Sequence, residues 1–266
     1  MSFVNYTFYH LKNKEPVGLN SKIVQEHLLK SSMKKCVHIN YYAFNQEFVQ
    51  DDIKQFALDF FRDYNVAITL QTSSSGFVGQ NVFKVLVEEI PCTITSMTFF
   101  DKLLDPNNNI VCSTTDKDGN HTIRQCMEVY KNGLYMNNNL KMMLFEGECS
   151  EYFLYEEDER AEFVFRLLQH FVIGGQWCQD DIVIEPYLNA TKYVYKDLLT
   201  VEKSTSSKIQ ISSKIYKVTA FDSNDTVLFP KENIKSVPFS FAYIAVNQNT
   251  RTVVLLFHNV GDKIYT

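Results

Sequence analysis

The sequence predicts an α+β fold: a mixed, mostly antiparallel sheet with several packed helices and a β-rich C-terminal third. Three observations carry this. Apolar residues recur at helical spacing after Asp51, after Glu157 and after Pro186. Beyond Leu199 strand-like runs follow one another, separated by turn-forming residues. No internal repeat of solenoid or propeller period is visible.

In order along the chain, Phe3 to Leu11 alternates as a strand does. Ser21 stands where a helix cap belongs, ahead of an apolar face of Ile23, Val24, His27 and Leu28. Val37 to Phe44 reads as a strand. Asp51 and Asp52 open a stronger helix, with Ile53, Phe56, Ala57, Phe60 and Phe61 forming the stripe of a buried face. Acidic residues at its head suit the helix dipole. Val66 to Leu70 reads as a strand, followed by a loop (TSSSGFVGQ) and a β-rich run from Val82 to Ile94.

The stretch DPNNNIVCSTTDKDGNH, 105–121, is polar and turn-forming, and predicts a long surface loop. It is the best candidate for an internal boundary. Residues 1–266 are otherwise read as a single α+β domain, with room for two lobes around that loop. From Glu157 the pattern turns helical through Ala161, Val164, Phe165, Leu168 and Val172, and Gly174 ends it. Pro186 opens a further helix with Tyr187, Ala190, Val194 and Leu198 inward. The strand candidates after that are Val201, Ile209–Ile211, Ile215 to Phe221, Val227 to Phe229, Phe239 to Val246 and Thr252 to Phe257. The tetrapeptide Asn247-Gln248-Asn249-Thr250 is the turn between the last two.

Composition bounds the function. A net charge of −5 at pH 7 argues against nucleic acid, which needs a basic footprint. KSSMKK, 30–35, reads as the solvated end of a helix, and Glu156-Glu157-Asp158-Glu159 as the start of one. No apolar run reaches the roughly 18 residues a membrane-spanning helix needs. The first residues lack the basic-then-apolar layout of a secretion signal, so a cytosolic protein is expected. Six widely spaced cysteines are then expected to be free and mostly buried thiols. The 21 Phe and 15 Tyr suggest a Phe-rich core, with an aromatic partner surface as the alternative.

The search for catalytic motifs returns none. There is no phosphate-binding G-x-x-x-x-G-K-[ST] or dinucleotide G-x-G-x-x-G, no G-x-S-x-G elbow and no C-x-x-C pair. None of the six His begins an H-x-D or H-x-E ligand pair. The one polar constellation is His170, Cys178, Asp180 and Asp181 around the Gly174-Gly175 break. A Cys beside a helix terminus, with a nearby His and two carboxylates, would suit a thiol nucleophile or a metal site. The structural reading is that His170 suits a helix C-terminus and the aspartates suit a turn. Trp177 is either packed on the core or an interface anchor, since Trp is enriched in hot spots. Tyr193 and Tyr195 cannot share one helical face. The candidate partner-binding patch is therefore Gly174, Gly175, Trp177, Cys178, Asp180 and Asp181.

Several long segments carry a family resemblance. They are FVFRLLQHFVIGGQWCQ (163–179), PYLNATKYVYKDLLTV (186–201) and KIQISSKIYKVTAFD (208–222), supported by IPCTITSMTFFDKL (90–103) and FNQEFVQDDIKQFALDFFRD (44–63). In these the chain resembles the cilia- and flagella-associated protein 300 family, with the first forty residues and 105–139 matching poorly. The resemblance implies a non-enzymatic factor for assembly or transport of outer and inner axonemal dynein arms. It implies residence in the cytoplasm and in the axoneme of the cilium or flagellum. The partners implied are axonemal dynein subunits and dynein-arm assembly factors, with the intraflagellar transport machinery as a further one. It brings no catalytic residue or cofactor, and charge, hydropathy and motif spacing lead to no nucleic-acid partner, no membrane partner and no metal being expected. The alternative from another class is a ligand-binding or enzyme domain with its site near His170 and Cys178.

Overall fold

The structure, a computed structural model, describes residues 5–71, 78–203, 209–231 and 239–259. In chain order the elements are β1 (Phe8–His10), α1 (Lys22–Lys30), β2 (Val37–Phe44), α2 (Ile53–Arg62), α3 (Tyr64–Gln71) and β3 (Lys84–Ile90). Then come α4 (Asp101–Leu104), β4 (Val111–Thr115), β5 (His121–Ile123), β6 (Gln125–Lys131), β7 (Leu134–Asn138), α5 (Asn139–Phe145), α6 (Glu157–Ala161), α7 (Phe163–Ile173) and α8 (Glu185–Leu198). The last strands are β8 (Val201–Lys203), β9 (Ile209–Ile211), β10 (Ser213–Phe221), β11 (Val227–Phe229), β12 (Phe241–Asn247) and β13 (Thr252–His258). The α+β class holds. The chain divides into two compact units. Unit 1 comprises Met1–Pro16, Lys35–Ile90 and Leu198–Thr266, and unit 2 comprises Val17–Lys34 and Pro91–Asp197.

Unit 1 is built on a seven-stranded antiparallel sheet in the order β1-β2-β13-β12-β10-β11, with β3 also paired to β10. Alternate residues of each strand (Tyr42 and Phe44, Val253, Leu255 and Phe257, Ala242, Ile244 and Val246) point into one apolar cluster. Helix α2 meets them with Phe56, Ala57, Phe60 and Phe61, all fully buried, which is the stripe its sequence spells. The core is Phe-rich, as the composition suggested. Strand β12 is buried along its whole length and β13 nearly so, and both accordingly read as continuous apolar runs.

Several expectations about elements need correction. Val66 to Leu70 is helical, not a strand. The Asp63 carboxylate caps α3 by accepting from the backbone N–H groups of Asn65 (2.7 Å) and Val66 (3.4 Å). Val66, Ala67 and Leu70 then bury at helical spacing, so the β-branched content was a poor guide. The strand over Phe3 to Leu11 is only β1, its first residues lying outside the described ones, as does most of the loop after Gln71. Ile23 of α1 is 46% exposed, so that helix buries Val24, His27 and Leu28 alone.

Unit 2 carries small β-hairpins and helices. The polar stretch 105–121 is not an open loop. Asp105 caps a single 3-10 turn, after which β4 pairs with β5. Its polar residues form the hairpin turn, where Asp116 Oδ1 accepts from the N–H groups of Asp118 (2.9 Å) and Asn120 (2.8 Å) and Gly119 takes φ +83°. Ile110 and Val111 anchor it, both fully buried. The predicted helix from Glu157 is two helices. It breaks at Glu162, whose backbone leaves the helical region (φ −58°, ψ 139°) and whose carboxylate accepts from the Thr93 N–H at 2.9 Å and from the Thr93 hydroxyl. A long-range hydrogen bond overrides local helical preference there. Helix α8 buries Tyr187, Ala190, Val194 and Leu198 as its sequence predicts, with Tyr195 buried and Tyr193 only partly so.

Candidate partner-binding loop

The loop from Gly174 to Ile182 lies between α7 and α8 in unit 2. Helix α7 is apolar almost all round, and Phe163, Phe165, Leu167, Leu168 and Phe171 are fully buried. Its Gly174 has φ +68° and donates its N–H to the His170 carbonyl at 3.0 Å. A Cβ on Gly174 would stand 2.6 Å from Cys178 Sγ and 2.8 Å from the Ser31 carbonyl oxygen. On Gly175 it would stand 2.5 Å from the Ser32 carbonyl oxygen. Both positions admit only glycine because the chain runs directly against the end of α1.

That approach satisfies a helix end. The last carbonyls of an α-helix have no partner within the helix. Here the Lys30 carbonyl accepts from the Gln179 N–H at 2.9 Å, and the following Ser31 carbonyl accepts from the Gly175 N–H at 2.7 Å. Two ion pairs reinforce the junction. Lys30 Nζ lies 2.6 Å from the buried Asp181 carboxylate, with His27 Nδ1 at 3.5 Å, an ion-pair distance rather than a hydrogen bond. The nearly buried Lys141 of α5 reaches Asp180 at 2.7 Å. The Asp181 N–H donates to the Tyr187 hydroxyl at 2.9 Å. Residues 182–184 then run beside β5, with Ile123 N–H donating to the Ile182 carbonyl at 2.8 Å.

The six residues singled out from the sequence thus have different parts. Gly174 and Gly175 allow close approach, and Asp180 and Asp181 are consumed in internal ion pairs. Cys178 is half-buried, and burial pushes its thiol up to about 12, with the Asp180 charge adding to the effect. Such a group stays protonated at neutral pH, which does not suit a nucleophile. Among the described residues no three His, Cys, Asp or Glu side chains gather as a metal would need. Trp177 is 64% exposed, so it is not packed into the core. Ile182, 70% exposed, stands five positions further along the same loop. Sequence alone does not single it out, because IVI looks like a buried strand. Nor does it single out Lys30 and Lys141, which are remote in sequence and carry no local signal. All six cysteines are free, and each is partly rather than fully buried.

The model of the family described as "Cilia- and flagella-associated protein 300" matches residues 5–258. The chain belongs to the cilia- and flagella-associated protein 300 family. The match runs through the first forty residues and 105–139, where the resembling segments gave no support. Two relatives bearing that name are similar over almost their whole length. The one from Chlamydomonas reinhardtii is 30% identical over 251 residues, covering 91% of this chain and 93% of its own. The one from Paramecium tetraurelia is 26% identical over 264 residues, covering 98% and 95%. No solved structure matches the chain. Membership makes this a cilia- and flagella-associated protein. Among the described residues no helix is long and apolar enough to cross a membrane.

Proposed function

We propose that this chain is a non-enzymatic factor in the assembly or transport of outer and inner axonemal dynein arms, working by protein–protein binding. It would act in the cytoplasm and in the axoneme, with dynein subunits and their assembly factors as partners and intraflagellar transport as the route. The ciliary family supports the setting, and the exposed Trp177 supports the mode. Trp leads the residues that dominate interfaces, and here the indole stands mostly in solvent on a loop whose backbone is anchored to the end of α1. The neighbouring groups speak against catalysis at this loop, because the Cys178 thiol is hard to ionise and both carboxylates are already held by lysines.

The test is capture of dynein-arm subunits and assembly factors from ciliating cells by wild-type protein and by Trp177→Ala. The variant is expected to melt with the wild type and to lose about tenfold or more of the captured material, as hot-spot truncations do. Equal capture by both proteins would remove Trp177 from the binding surface. Loss of folding would assign it a structural role instead.

A further inference from the structure

The two edges of the unit 1 sheet are finished differently. Residues Ile215 to Lys217 of β10 pair with β12 on one side and with β3 on the other, so β3 is an outer strand, as β1 is. An edge strand presents a row of backbone donors and acceptors to which another strand can add. At β1 that row is closed by side chains. The outward Phe8 N–H donates to Asp63 Oδ2 at 3.0 Å, and the Phe8 carbonyl accepts from Asn65 Nδ2 at 2.8 Å. At β3, among the described residues, no strand pairs with the far edge and no side chain bonds the backbone of Val85, Leu86 or Val87.

The side chains of β3 are sorted by face. Val85 belongs to the apolar cluster and Val87 packs against it. Lys84, Leu86 and Glu88 alternate with them onto the other face, where both charged residues are exposed and Leu86 is 55% exposed. The run Lys84-Val85-Leu86-Val87-Glu88 complements its own reverse. Laid antiparallel on a second copy with Leu86 opposite Leu86, it sets Lys84 against Glu88 twice and Val85 against Val87 twice, each pair on one face. Centring on Val87 instead sets Leu86 against Glu88 and Val85 against Glu89, and centring on Val85 sets Lys84 against Leu86. The charges therefore select one register. Within the chain the same pairing is already used, since Glu88 stands opposite Lys217 of β10. The ion pair of Lys84 with Asp225, at 2.8 Å, is solvent-exposed, and such pairs contribute little, so Lys84 is available to a new partner.

We propose that two copies of this chain join edge to edge through β3, antiparallel about a two-fold axis at Leu86, so that their sheets become one. The Trp177 loop plays no part in this contact, and the two readings stand or fall separately. A short strand makes a small interface, so the dimer is of the weak, concentration-dependent kind.

Sedimentation of the full chain at rising concentration tests it, and the wild type is expected to pass from monomer to dimer. Lys84→Glu and Glu88→Lys each bring like charges together at both symmetric positions, and each should weaken the dimer about tenfold or more. The double variant restores opposite charges and should regain most of that loss. Leu86→Lys sets two cations face to face on the axis and should leave only monomer. Leu86→Cys gives a separate reading that does not depend on dimer affinity. Opposed Cα atoms of an antiparallel ladder stand about 4.5–5.5 Å apart, within disulfide reach, so mild oxidation should link this variant into dimers faster than the wild type. All three side chains are solvent-exposed, and melting with the wild type confirms that each variant is folded. A wild type that stays monomeric, a dimer that withstands Leu86→Lys, single reversals that the double variant fails to rescue, or no added cross-linking through Leu86→Cys overturns the inference.

Discussion

Unit 1 closes around aromatic rings, whereas unit 2 closes its connections with charges drawn inside. In unit 1 the ring of Phe56 lies edge-on within 4.8–5.2 Å of Tyr6, Phe8, Phe44 and Phe48, each pair adding to the area it buries. In unit 2 the Arg160 guanidinium donates to the carbonyls of Leu144, Met143 and Tyr152 and lies 3.6 Å over the Tyr152 ring. Asp197 caps Gly18 and Leu19 at 2.9 and 2.7 Å in the same unit. The net charges differ too. Unit 2 carries 18 Asp and Glu against 12 Lys and Arg, a net of −6, while unit 1 carries 13 against 14, a net of +1. Apolar area is non-directional and tolerant of small shifts, whereas a buried charge holds only in one geometry. The unit fixed by directional bonds is also the one that displays Trp177.

The contrast can be broken most forcefully at Phe56. Phe56→Ala leaves a cavity among four rings and should cost unit 1 about 3–5 kcal/mol, read by denaturant unfolding. A cost near 1 kcal/mol would mean that the cluster collapses to fill the hole.

Acid should separate the units next. His258 of β13 is buried, and burial pushes its imidazole down to about 4 from an ordinary 6.5. The unfolded chain therefore binds that proton first. Its contribution is intact above pH 6.5 and is lost as pH falls from there toward 4, by on the order of 3 kcal/mol. Burial lowers His38 in the same direction. In unit 2 burial works against ionisation of Asp181, yet the nearby His27 ring and the hydrogen bond and charge of Lys30 outweigh it and hold its carboxyl below the usual 3.8. That contribution survives until the pH drops below the ordinary value. Between pH 7 and about pH 5, amide protection should therefore fall in β12 and β13 while that of the hydrogen-bonded Gly175 and Gln179 N–H groups stays constant; an equal loss in both would contradict the assignment.

Gly175→Ala is a smaller perturbation, confined to unit 2. The new methyl meets the Ser32 carbonyl, and the backbone must move, at about 1–3 kcal/mol. The Gln179 and Lys30 amide resonances should shift with it. Smallest of all, Trp177→Ala should alter the melting free energy by less than about 0.5 kcal/mol, since the side chain is mostly in solvent. A larger loss would show that the indole packs on its own unit.

Much of unit 1 was legible because its signals are local. The α2 stripe and the full span of β2 follow from spacing alone, and the Asn247–Thr250 turn joins the strands expected of it. Some misses were local, as where the Asp63 cap makes a helix of Val66 to Leu70, and others had long-range causes. Glu162 stops a helix because Thr93 bonds its side chain, and Thr93 is 69 positions away. Within the candidate loop, the Gly-Gly break was legible from its glycines. The pairing of Asp180 and Asp181 was not, since Lys141 and Lys30 come from elements remote in sequence.

The place of β13 in the sheet has a consequence for how the protein is made. It lies between β2 and β12, so the interior of unit 1 is completed only when a strand far along the chain from its neighbour β2 has been made. Strand β2 emerges roughly 200 residues earlier, a sequence separation that makes folding slow and exposes apolar edges meanwhile. A message cut short anywhere before Thr252 would yield a nascent chain whose sheet is missing a central strand rather than an edge. Such a product is a substrate for chaperones and proteases, so loss of the chain from Thr252 onward should be as damaging to unit 1 as loss of β2.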